Sequence, residues 1–149
     1  MRRHSLGRAT AVFGTVVLLT ECTSQGQPDS EELPAFSSLE EAYAAVDESL
    51  GCEFDPAGEP IVPMGDGQLT FEQQLCAEHV QVDMYPNDDY LQRSLDMIAD
   101  TNQGELQLVR GENWMVLDTT VIATDVPTNW DLEKLAQDLG GQYIVAGTG

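Results

Sequence analysis

The chain has 149 residues, 26 of them acidic and 6 basic, and its formal net charge at pH 7 is −20. Nucleic acids and anionic lipid surfaces repel a chain of this charge, so electrostatic binding to either is disfavoured and no nucleic-acid partner is expected. An envelope protein partner, a cationic ligand or a divalent cation fits the charge, and so does an acidic surface that serves only solubility.

The first 21 residues have the three-part layout of an export signal. Arg2, Arg3 and Arg8 form a cationic start, and an apolar stretch runs from Ala9 to Thr20. A helix that crosses a bilayer needs ~20 apolar residues, so this stretch is too short to be a membrane span. Its length and flanks are typical of the hydrophobic part of a signal peptide, and we assign residues 1–21 to one.

Leu19-Thr20-Glu21-Cys22 resembles the lipobox of bacterial lipoproteins. The resemblance implies that the sulfur of Cys22 receives a diacylglycerol, that a dedicated peptidase cuts before this residue, and that the mature protein is anchored on the extracytoplasmic side of the cell membrane. Glu21 departs from the pattern, which has a small residue there, and burying a carboxylate in the peptidase pocket is costly. An ordinary secretory cut after Ser24 is the alternative.

A polar segment without apolar periodicity follows the proposed lipid site. We expect residues 22–35 to form a flexible, lipid-anchored tether and residues 36–149 to form a single domain. Without residues 1–21, the chain keeps 3 basic and 25 acidic residues, a net charge of −22.

Cys52 and Cys76 remain as an even pair if Cys22 carries lipid. In an oxidising compartment such a pair is expected to form a disulfide, and two buried free thiols are the alternative. The bridge would close an irregular connection, residues 53–67, that is rich in proline and glycine. The chain-entropy model gives a loop of this size roughly 3 kcal/mol of stabilisation.

Periodicity and capping residues predict three helices and several strands. The first helix begins after Ser37 or Ser38 and ends at Gly51. The second is capped at residues 87–89, and the third begins at residues 127–129 and ends at Gly140. Strands are predicted at residues 68–71, 77–85, 105–110, 113–120 with a continuation through 121–123, and 143–146, with a hairpin turn at Gly111-Glu112.

The order of elements from about residue 77 is strand, helix, strand, strand, helix, strand. This order predicts an α+β fold with a ferredoxin-like βαββαβ arrangement, an antiparallel sheet with helices on one face. An extra helix and an extra strand precede it. In the strand at 77–85, Val80, Val82 and Met84 share one face, while His79, Gln81 and Asp83 share the other.

Catalytic and metal-binding patterns are missing from the sequence. His79 is the only histidine after the signal, and we interpret it as an exposed strand residue. Asp83 lies roughly 13 Å along the same strand face, too far to orient the imidazole. One histidine and no thiol cluster disfavour zinc, and no spaced calcium loop is present. We therefore predict no catalytic residue, no metal and no cofactor.

The two tryptophans have different expected roles. Trp114 lies in a strand that is apolar on both faces and is expected in the core. Trp130 precedes the apolar stripe of the third helix and is the candidate contact residue for a partner or ligand. The sequence thus predicts a non-enzymatic envelope interaction or accessory module. A small secreted hydrolase that uses His79 with carboxylates, or an acidic cation-binding envelope protein, is the alternative.

Overall fold

The computed structural model describes residues 32–59, 70, 72–100 and 104–147. Within them the chain forms four helices and five strands. In chain order these are α1 (Leu39–Leu50), β1 (Glu72–Ala77), β2 (Val80–Met84), α2 (Asp88–Ala99), β3 (Leu106–Arg110), β4 (Trp114–Asp118), α3 (Thr120–Thr124), α4 (Leu132–Leu139) and β5 (Gln142–Ala146).

The strands form one antiparallel sheet in the order β1-β2-β4-β3-β5. The predicted α+β class, with an extra helix and strand before the ferredoxin-like order of elements, is confirmed. The extra strand β1 pairs with β2, and β5 pairs with β3 at the opposite side of the sheet. Consecutive strands β3 and β4 are joined by the hairpin predicted at Gly111-Glu112.

Helices cover both faces of the sheet, whereas the sequence predicted helices on one face. Helices α1 and α4 pack on the face that carries Val82 and Val116. Helices α2 and α3 pack, through Leu91 and Ile122, on the face that carries Met115. The physical reason is that β3 and β4 bear apolar side chains on both faces, and each apolar face has to be covered.

Local capping fixes the ends of the predicted helices. The Ser38 hydroxyl accepts from the backbone N–H of Glu41 at the start of α1, and Gly51 ends the helix with a φ of 74°. The Asn87 side chain accepts from the N–H of Tyr90 and caps α2. These are the residues that the sequence indicated.

Two predicted elements differ in the structure, and one strand was not predicted. Residues 121–123 belong to helix α3 and do not extend β4, because the Asp118 side chain accepts from the N–H of Thr120 and turns the chain. Helix α4 begins later than predicted, since Asp131 supplies its cap. Strand β1 was not predicted at its position. The strand predicted at 68–71 lies outside the described residues apart from Thr70, which is not in a strand.

Candidate functional site

A disulfide joins Cys52 to Cys76, as the cysteine count predicted. The two Cα atoms are 4.6 Å apart, and the bridge connects the segment after α1 to strand β1. Cys76 is completely buried, and its carbonyl oxygen accepts a hydrogen bond from the N–H of Glu53 at 2.8 Å. The bridge therefore holds the first helix against the sheet.

The proposed lipidation residue, Cys22, lies outside the described residues, as do the predicted export signal and most of the predicted tether. Of the helices that the structure describes, none combines the length and apolar character needed to cross a bilayer.

His79 lies in the turn between β1 and β2, half-buried, and not on an exposed strand face as interpreted from the sequence. Its carbonyl oxygen accepts from the backbone N–H of Thr119. Its ring approaches Glu78 at 4.0 Å, which is longer than a hydrogen bond. Within the described ranges, no carboxylate oxygen is in position to orient the imidazole as a catalytic base requires.

A buried carboxyl group on β2 was missed by sequence reasoning. Asp83 is 0 % exposed, and its Oδ1 accepts from the Gln81 side chain at 2.5 Å. The other oxygen, Oδ2, has no hydrogen-bond partner. Burial raises the pKa of Asp83 to about 7, and the hydrogen bond from Gln81 opposes this shift. The sequence analysis placed Asp83 on the strand face of His79, which it interpreted as exposed, but the Gln81 and Asp83 side chains on this face are fully buried.

A surface cavity of about 420 Å³ lies where the start of α4 meets strand β5. Trp130 and Tyr143 line it, together with Gln107 of β3 and the acidic side chains of Asp131 and Glu133. Trp130 is half-buried: part of the residue packs on the core cluster, while part remains open to the cavity. The structure therefore places the predicted contact residue at a concave, aromatic and acidic surface.

The hydroxyl group of Tyr143 lies in a negatively charged environment. The pKa of Tyr143 is raised, first by burial and then by the negative charges of Glu133, Glu105 and Asp118. Asp118 is only 3 % exposed and pairs in register with Gln107, so that both side chains lie on the same face of the sheet. Its Oδ2 has no hydrogen-bond partner.

The basic residues of the domain are engaged elsewhere. After residue 21 the sequence contains only Arg93, Arg110 and Lys134. The guanidinium of Arg110 pairs with Asp88, the ammonium of Lys134 pairs with Asp138, and Arg93 lies over the ring of Tyr90 at 5.6 Å. No basic side chain in the described part of the chain therefore neutralises the cavity.

The described residues contain no group of three or more His, Cys, Asp or Glu side chains that could hold a metal ion. A larger cavity, about 820 Å³, lies between residues 32–33 and the end of α4. Glu32 is its only charged lining residue in the described part of the chain. Of these two cavities, the smaller one combines aromatic rings with acidic side chains.

Sequence reasoning did not single out Tyr143, Glu105 or Asp118, because strand pairing brings them together from distant positions.

The chain was compared with protein-family models, curated proteins and solved structures, and none of them matches. The chemistry of the site itself is therefore the basis for a functional interpretation.

Proposed function

We propose that this chain is a lipid-anchored bacterial lipoprotein, displayed on the extracytoplasmic side of the membrane, whose domain is a non-enzymatic binding module of the cell envelope. The Cys52–Cys76 disulfide carries the proposal. Structural disulfides form and persist in oxidising compartments and are rare in reducing ones, so the bridge favours export.

The N-terminal pattern supplies the anchor in this proposal. A diacylglycerol on Cys22 would hold the domain through a tether of about 12 residues, whose root-mean-square length is roughly 20 Å. That distance would let the domain reach partners close to the membrane surface. The large negative charge would keep the domain itself away from anionic headgroups.

The interior and surface chemistry support binding over catalysis. His79 has no orienting carboxylate in the described residues, and the one buried carboxyl with a strongly raised pKa, Asp83, is closed to solvent. The cavity at Trp130, by contrast, is open and combines aromatic surface with fixed charge. Sites of this kind recognise ligands without a nucleophile or a general base.

Metabolic labelling with a radioactive fatty acid tests the anchor. We expect label and membrane association in the parent protein and neither in Cys22→Ala, produced in the same bacterial host. Cys52→Ala serves as the matched control, because it removes a cysteine outside the lipobox-like sequence and should leave the label in place. Equal labelling of the parent and Cys22→Ala would refute lipidation, and an unlabelled parent in the medium that begins after Ser24 would establish secretion instead.

A further inference from the structure

The cavity at the start of α4 has aromatic surface from two elements that are distant in sequence. Trp130 precedes α4 and Tyr143 lies on β5, and both residues are half-buried. Aromatic faces carry negative partial charge and attract cations, and tryptophan does so most strongly. An attraction of this kind is worth about 0.5–2 kcal/mol, depending on how far the cation is desolvated.

Fixed negative charge adds to the attraction of the rings. Glu133 and Asp131 line the cavity, and the charges of Glu105 and Asp118 are felt at the Tyr143 hydroxyl. Asp118 also has an unpaired oxygen beneath the surface, next to the position of Gln107. A cationic group in the cavity would therefore meet the carboxylates of Asp131 and Glu133 on its wall, with the negative charges of Glu105 and Asp118 acting from outside the lining.

The start of helix α4 opposes this attraction only in part. A helix N-terminus carries the equivalent of roughly half a positive charge. Asp131 accepts from the N–H of Lys134 and caps this end, and Glu133 adds a second carboxylate in the first turn. Two full negative charges outweigh the half charge of the helix, so the local potential stays negative.

The geometry favours an organic cation over a metal ion. Calcium takes six to eight oxygen ligands, whereas the described carboxylates include no group of three that converges on one point. A substituted ammonium ion has diffuse charge and apolar groups, and it is satisfied by ring faces with a few carboxylates at longer distance. A volume of about 420 Å³ is sufficient for such a group.

We propose that the cavity between Trp130 and Tyr143 binds a small organic ammonium ion. The inference deepens the proposed function, since it rests on the domain being a binding module and names the chemical class of its ligand. Aromatic surface provides the contact, and Glu133 with Asp131 provides the charge complementarity.

Choline and its neutral isostere, 3,3-dimethyl-1-butanol, test the role of charge with the same shape. Both are titrated into the exported protein with its disulfide intact, and the two indole N–H signals are followed by NMR. We expect choline to shift the signal of Trp130 and not that of buried Trp114, and the alcohol to bind about ten-fold more weakly. n-Butylammonium, titrated in parallel, separates primary from quaternary ammonium ligands.

Matched variants test whether the ammonium probe binds in the cavity at Trp130. Trp130→Ala and Glu133→Gln should each weaken binding of the preferred probe by about three-fold or more. Phe54→Ala and Glu40→Gln, an exposed aromatic and an exposed acid away from the cavity, should leave it unchanged. Tyr143→Phe keeps the ring and should bind nearly as well as the parent. Circular dichroism and the melting temperature confirm that each variant is folded.

Three outcomes would overturn the inference: equal affinity for choline and the alcohol, parent-like binding by Trp130→Ala, or no response to either ammonium ion up to about 50 mM. These outcomes are independent of the anchor. Loss of fatty-acid label tests Cys22, whereas the titration reports only on the folded domain, so that failure of one proposal is distinguished from failure of the other.

Discussion

The indole Nε1 of Trp114 donates a 2.9 Å hydrogen bond to the carbonyl oxygen of Pro34, 80 residues earlier in the chain. The neighbouring Asn113 side chain holds both backbone groups of Phe36, accepting from its N–H and donating to its carbonyl oxygen. The Phe36 ring lies 5.3 Å from the Trp114 ring. Residues 34–36 are thus docked on the β3–β4 hairpin, and the folded domain includes Pro34, two residues before the boundary predicted at 36.

Replacing Trp114 with Phe should destabilise the domain. The variant keeps an aromatic ring but loses the hydrogen bond to Pro34 and leaves unfilled volume in a fully buried position. We expect the free energy of unfolding to fall by about 2–3 kcal/mol in urea titrations. Trp130→Phe is the control, since Trp130 is half-buried and its indole makes no hydrogen bond among the described residues. A loss as large in the control would contradict this account.

Gly111 should tolerate no side chain, for a steric reason. A Cβ atom there would overlap the indole nitrogen of Trp114 and the carbonyl oxygen of Pro34, and neither can move without breaking the docking of the N-terminal segment. Gly111→Ala should cost about 1–3 kcal/mol of stability. Gly51→Ala provides the comparison, because Gly51 has a φ of 74° and open space around it, so that only backbone strain of about 1 kcal/mol applies. A smaller loss in Gly111→Ala than in Gly51→Ala would show that the hairpin relaxes.

Features that depend on neighbouring residues were predictable from the sequence. Ser38, Gly51 and Asn87 mark helix ends through their own side chains or backbone freedom, and Gly111-Glu112 marks a turn between two apolar runs. Features that depend on distant partners were not. Strand β1 has a polar, unremarkable sequence and is defined by its pairing with β2.

In the candidate site, too, some residues were predictable from their sequence neighbours and others were not. Trp130 was identified because it precedes a clear apolar stripe and has no place in it. Two of its neighbours in the cavity, Gln107 and Tyr143, come from β3 and β5, whose pairing depends on the whole sheet. The burial of Asp83 was not predicted, because alternation along one strand cannot reveal that the second face of the sheet is also covered.

Removing the disulfide should weaken the fold. The Cys52→Ala/Cys76→Ala double variant frees a connection that the bridge closes over 24 residues, and we expect a loss of about 3 kcal/mol in the free energy of unfolding. Reduction of the parent protein with dithiothreitol should produce a similar loss. Cys22→Ala should unfold at the same denaturant concentration as the parent. An unchanged midpoint in the double variant would show that the bridge contributes nothing to stability.

The environment of Asp83 links the stability of the domain to pH. Its carboxyl group accepts from the Gln81 side chain, and the nearby hydroxyl of Tyr85 donates to the Ser94 hydroxyl oxygen at 3.1 Å. Burial and the charge of Asp83 raise the pKa of Tyr85, so that Tyr85 stays protonated near neutral pH. Asp83 is therefore the group on this face of β2 that we expect to change its charge between about pH 4 and pH 7.

Asp83→Asn should stabilise the domain at pH 8 and have little effect at pH 4. Because the folded state raises the pKa of Asp83 from 3.8 to about 7, it holds the proton more tightly than the unfolded chain does, and the contribution of Asp83 to stability falls as the pH rises between these values. The amide of the Asp83→Asn variant cannot ionise, so the variant avoids this loss in the free energy of unfolding, which is on the order of a few kcal/mol. Urea unfolding of the parent and the variant from pH 4 to pH 8 measures the difference. Asp55→Asn, at an exposed position, should show no such trend, and a pH-independent difference between the parent and Asp83→Asn would mean that Asp83 does not titrate in this range.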